Sequence, residues 1–387
     1  MIFRQCALQS PSFSRLLEVY ENRGAQAAKW RGNGGKTVAK LGADVPDELI
    51  IAAGMLPVQI YADPDAKLEK TDTYLEFAFD PIVRHQFEKI VDGTCAGETD
   101  FLAVSNSTDV IIRVFLYLRE MKRINLEKVP PITFMDWLFT RNRMHQDRNE
   151  LTVKLFIEQL EQWSGKKLTD EAIREAMVLC NEDRAALRKI SALRKAEKPR
   201  ISGCEALVIT GSALFMDRRE HAELVEKLAE EAQSWPELEG PRVYYTGSVQ
   251  EDTSVYEMIE SRGAVIVGED HDWGDRFFNR DCNTAYPVVR GIVDRYMLRD
   301  FSSKKAFVSQ RVETLLNEVK EAAAEAVVFY NNIYEEAASW DCPSQKKALN
   351  EIGISCAEFV KMQYPAKLNA DLESRIDCFV TGLKEGK

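Results

Sequence analysis

Apolar residues recur along this chain at two alternating spacings, one helical and one strand-like. Helical spacing over residues 12–30 stops at Gly32, Gly34 and Gly35, which open a loop. Residues 46–53 (PDELIIAA) read as a short helix with acidic residues in its first turn, where the helix dipole favours negative charge. Gly54 ends it, and 57–61 follow as a strand. Asp80 and Pro81 announce a helix over 81–91, the carboxylate as N-cap and the proline at the first helical position. Residues 101–104 form an apolar run suited to a buried strand, 109–122 an apolar helix, and 132–135 the next strand. This series predicts a first α/β domain over 41–140, preceded by a helical arm over 1–40.

The middle of the chain changes character. Residues 146–197 are almost continuously helical, with a break at Ser164-Gly165 and a cap at Thr169-Asp170-Glu171. A helical insert over 141–205 is predicted. Strand-like runs at 242–245, 264–267, 326–330 and 355–359 then alternate with helices at 217–235, 255–262, 305–323, 344–352 and 368–384, which predicts a second α/β domain over 206–387. The expected fold class is α/β: two Rossmann-like or flavodoxin-like parallel-sheet domains with a helical insert and an N-terminal helical arm.

Composition narrows the function classes. The chain has 387 residues, 45% hydrophobic and 29% charged, with a net charge of −11. That balance argues against a general nucleic-acid binder, which carries a basic face. No apolar run approaches the length of a membrane span, and the start of the chain lacks the apolar core of a signal peptide, so a cytoplasmic location is expected. The eight cysteines are scattered without a CxxC pair. They read as free thiols rather than a self-contained metal cage, with Cys180, Cys356 and Cys378 expected in the core and Cys95 in a loop. His221 lies on a charged helix and is expected to be solvated. His271, just beyond a strand end, is the best-placed histidine for acid–base work, with an ordinary loop histidine as the alternative. Thr246-Gly247-Ser248, between a strand and a helix, is a turn of the kind that cradles a phosphate on backbone N–H groups, or an ordinary βα-loop.

Several segments, in order, carry a family resemblance. They are 45–58 (VPDELIIAAGMLPV), 80–84 (DPIVR), 108–113 (TDVIIR), 242–248 (RVYYTGS), Gly268-Glu269-Asp270, Arg276-Phe277-Phe278, and 330–343 (YNNIYEEAASWDCP). Together they resemble the 2-hydroxyacyl-CoA dehydratase and benzoyl-CoA reductase family. The resemblance implies a heterodimer of two similar subunits acting on an acyl-CoA, fed single electrons by an ATP-dependent iron–sulfur activator. It also implies a [4Fe–4S] cluster held by cysteines at three positions which here are Asp80, Thr108 and Glu335.

Thiolates suit iron–sulfur centres, whereas Asp, Thr and Glu are hard oxygen donors. Four readings of the three residues stand side by side. Asp80 and Thr108 are helix caps and Glu335 a loop carboxylate; or the three line an acyl-CoA pocket emptied of its cluster; or they bind a hard cation such as Mg²⁺ or Ca²⁺; or Cys95 or Cys342 serves as a ligand nearby. The expectation is a chain that binds no cluster itself, paired with a paralogous subunit that carries the [4Fe–4S]. An acyl-CoA-binding protein without catalysis, or an enzyme using Asp80, Glu335 and His271 for acid–base chemistry, are the alternatives.

Overall fold

The computed structural model describes residues 3–299 and 305–386; Met1 and Ile2 of the expected arm, and 300–304 and Lys387 of the expected second domain, lie outside them. Two four-stranded parallel sheets organise the chain. The first contains β1 (Thr37–Leu41), β2 (Leu56–Gln59), β3 (Phe101–Ser105) and β4 (Ile132–Met135), in the order β2-β1-β3-β4. The second contains β5 (Arg242–Gly247), β6 (Val265–Glu269), β7 (Ala326–Asn332) and β8 (Ser355–Met362), in the order β6-β5-β7-β8. The two orders are the same, and both follow the 2-1-3-4 order of a flavodoxin-like doubly wound α/β domain. Each sheet is covered by helices, as a parallel sheet requires.

The sequence rules for caps hold at the atomic level. The Asp80 carboxylate accepts from Ile82 N at 3.0 Å and Val83 N at 3.3 Å, opening the helix Pro81–Val91. Thr108 Oγ1 accepts from Ile111 N at 3.1 Å, opening Asp109–Arg123. Replacing either residue with alanine is expected to cost about 1 kcal/mol. Thr108→Ser should recover most of that loss in a urea unfolding series, because the serine hydroxyl makes the same bond.

The helical middle consists of Arg143–Ser164 and Asp170–Lys195. The second of these packs on both Arg218–Glu231 and Asp47–Ala52, so it lies between the two sheets' own elements.

Some elements differ from the pattern. The helix expected over 12–30 is two helices, Pro11–Glu21 and Ala25–Gly32, broken around Asn22 and Gly24. The strand β1 begins within the segment expected as an arm and ends at Leu41, the first residue of the expected first domain. Its five residues are all buried, Lys40 among them because Asp47 takes its ammonium at 2.5 Å. A lysine in a five-residue run hides the strand signal. Gly203–Ser212 is a helix buried on every side, so it shows no amphipathic period. The helix over Glu336–Glu351 runs through Pro343, which reads as a boundary in sequence. Cys378 is exposed rather than in the core, and Cys95 is buried in the short helix Thr94–Glu98 rather than in a loop.

Candidate functional site

In a parallel α/β sheet, ligands gather beyond the carboxyl ends of the strands, where the strand order reverses. In the first sheet that point lies between β1 and β3, and in the second between β5 and β7. The two points open into one cleft. Lys40, Gly42, Ala43, Ser107 and Thr108 line it from the first sheet, Gly247, Val249 and Glu335 from the second, and Cys180, Asp183, Arg184 and Arg218 from the helical elements between. Its cavity is about 140 Å³, close to the size that admits a benzene-sized guest.

Asp80, Thr108, Gly247, His271 and Glu335 all line this cleft, while Thr246 and Ser248 lie behind it. Each polar group among them is already engaged. Asp80 and Thr108 cap their helices as described. Glu335, 8% exposed, accepts a short bond from Ser248 Oγ, which itself accepts from Asn332 N at 2.8 Å. Ser248 N–H donates to Tyr330 O at 2.8 Å, and Thr246 Oγ1 donates to Asp270 at 2.8 Å. Asp270 is paired with Arg311 at 3.1 Å.

His271 is buried, and burial pushes its pKa down despite the nearby Glu269, Asp270 and Asp272. Its Nδ1 accepts from Trp273 N at 3.2 Å, which leaves the proton on Nε2, 2.9 Å from the Tyr256 hydroxyl. Tyr256 in turn donates to Glu269 at 3.1 Å. Both ring nitrogens therefore serve the protein interior.

The charged floor of the cleft carries no signal in the sequence that marks it as a site. Lys40 and Arg218 share Asp47, the latter at 2.8 Å; Arg218 also holds Asp183 at 2.9 Å. Asp183 bonds His221 Nδ1 at 2.5 Å, and His221 Nε2 lies 2.9 Å from Ile209 O. His221 is thus fully buried, not solvated; the helix Arg218–Glu231 turns it inward against Asp183 despite its charged neighbours. Beside this chain of bonds, burial alone would raise the pKa of Glu48, but Arg184 and Arg295 hold it down to about 2. Asp47 and Glu48 belong to the family-like 45–58 segment, yet only the tertiary fold shows which arginines they meet.

A [4Fe–4S] cluster does not fit the residues at the three positions. They supply hard oxygens, two of them tied to helix amides and the third bonded by Ser248. Cys180 is the cleft's thiol, and burial pushes its pKa up, away from the thiolate a metal requires. Among the described residues no three His, Cys, Asp or Glu side chains are grouped as metal ligands, and no helix is long and apolar enough to cross a membrane.

Twin parallel sheets joined by helices, with a buried charged cleft at both reversal points, define an α/β protein of two Rossmann-like units. Within that class the chain belongs to the 2-hydroxyglutaryl-CoA dehydratase D-component family, whose model matches residues 43–382. It is 26% identical to the (R)-phenyllactyl-CoA dehydratase beta subunit of Clostridium sporogenes, over 83% of this chain and 85% of that one. It is 23% identical to the beta subunit of (R)-2-hydroxyglutaryl-CoA dehydratase from Acidaminococcus fermentans, over 88% and 91%. A benzoyl-CoA reductase subunit of Thauera aromatica is 24% identical, over 76% and 77%.

Proposed function

We propose that this chain is the cluster-free subunit of a 2-hydroxyacyl-CoA dehydratase or benzoyl-CoA reductase-like complex. Its partner is a paralogous subunit that carries the iron–sulfur centre, served by an ATP-dependent activator, and the radical chemistry on the acyl-CoA thioester takes place there. This chain supplies a wall of the substrate cleft and contacts to CoA. What supports the reading is that oxygen side chains stand at the three positions where the resemblance implies cluster cysteines, and that all three line one cleft of a scaffold the family model matches.

Asp80, Thr108 and Glu335 keep the cleft's helix starts and strand ends in place without a metal. Gly247, with Thr246 and Ser248 behind it, forms the turn against which part of the CoA would lie. The presence of Asp80, Glu335 and His271 in one cleft favours, as a second reading, acid–base chemistry without redox. The capping and interior bonds of all three count against it.

Anaerobic purification of the native complex, with iron and acid-labile sulfide measured on the separated subunits, tests the proposal. Iron and sulfide should accompany the paralogue and be absent from this chain. A full cubane on this chain alone overturns it, and recovery of the chain without any paralogous subunit would favour a free-standing binding protein.

A further inference from the structure

Glu251 differs from the ion-paired acids of the cleft. Asp47, Asp183 and Asp270 each have a cationic partner. The Glu251 carboxyl, 3% exposed, is held instead by neutral groups: Ala62 N–H at 2.6 Å and the Gln86 side-chain amide at 2.7 Å. The nearby cation, Arg23, bonds the Glu251 backbone carbonyl, as does the Tyr20 hydroxyl at 2.9 Å. Glu251 follows β5 in the second half of the chain, Ala62 and Gln86 belong to the first, and Tyr20 and Arg23 to the N-terminal helices. Three parts of the chain meet at this one residue, which lines the cleft together with Gln86.

We propose that Glu251 is a positioning residue that latches the two halves of the cleft as a neutral carboxyl, so that closing the cleft takes up a proton. The chemistry of the pair allows it. One oxygen accepts from Ala62 N–H, and the protonated oxygen donates to Gln86 once the amide presents its carbonyl, an orientation that hydrogen bonding alone decides. An ionised carboxylate would sit buried without a cation on either oxygen.

Burial pushes the Glu251 pKa up to about 7, against the Ala62 and Gln86 bonds and the Arg23 charge. The titratable and charged groups around it are Arg23, Tyr20, Asp252, Tyr364, Asp63 and His85. Burial raises both tyrosines and lowers the histidine, which favours the neutral form of all three. Because the latched pKa is raised above that of a free carboxyl, the latch is strongest at low pH and weakens as pH rises through about 7.

Hydrogen exchange on the full chain tests this without any ligand, so its outcome is independent of the acyl-CoA reading. After correction for intrinsic rates, protection of the peptide containing Ala62 should fall roughly fourfold between pH 6.5 and 8.5, while a β3 peptide stays flat. In Glu251→Gln, a neutral isostere, protection should be independent of pH and exceed that of the parent at pH 8.5. A flat profile in the parent chain overturns the proposal even if the variant does not fold. So does a Glu251→Gln profile that follows the parent.

Discussion

Arg218→Ala is expected to destabilise the chain by about 3–5 kcal/mol, read as a fall in the urea midpoint at unchanged slope. Arg218 is 4% exposed and bridges Asp47 at 2.8 Å and Asp183 at 2.9 Å. Those acids stand on the helices Asp47–Ala52 and Asp170–Lys195, so the guanidinium ties three helices together beneath the cleft. Without it, among the described residues, Asp47 keeps only Lys40 and Asp183 only His221, and two buried carboxylates are left short of positive charge. The guanidinium also covers the Phe277 ring at 5.2 Å, a contact that alanine loses as well.

The pH dependence gives this prediction a second handle. Burial alone would raise Asp183, but His221 and Arg218 hold it below the usual carboxylate range. Removing Arg218 lets that pKa rise, so Asp183 accepts a proton more readily in the variant than in the parent. The difference between variant and parent should therefore shrink as pH falls from 8 to 5. A loss below about 1 kcal/mol at pH 8 would mean that the bridge contributes little beyond a surface pair.

What the sequence discloses here is what local chemistry decides. Asp80 with Pro81, and Thr108 before an apolar helix, announce their caps because an N-cap needs only its next three residues. Strands such as β3 and β7 stand out because both faces are buried and the apolar run is continuous. What stays hidden depends on partners far away in the chain. Lys40 looks like a strand breaker until Asp47 is found 2.5 Å from it. His221 looks like a surface residue because its neighbours on the helix are charged, yet Asp183 draws it inside. Glu251 carries no motif at all, and only the meeting of Ala62, Gln86 and Tyr20 around it marks the position. Asp80, Thr108 and Glu335 show both sides. Their residue types are plain in the sequence, but their convergence on one cleft follows from two sheets reversing order at the same place.

That place depends on one glycine. Gly247→Ala is expected to cost at least about 3 kcal/mol and to displace Glu335 from the cleft wall. Gly247 has φ +128°, and a Cβ there would lie 2.3 Å from Tyr330 O and 2.6 Å from Asn331 Oδ1. Both contacts involve β7, so the added carbon must push β5 away from the strand beside it at the reversal point. Tyr330 O also accepts from Ser248 N at 2.8 Å, and Ser248 Oγ is the group that holds Glu335, so the disturbance passes directly to the cleft. Gly54→Ala is the matched control: its φ is +71°, but a Cβ there meets nothing within 4 Å. It should cost only the left-handed backbone penalty of about 1–2 kcal/mol. Comparing the two urea midpoints separates backbone strain from strand crowding. Equal losses at the two glycines would mean that β5 and β7 can part without penalty, and the cleft would then not depend on their close approach.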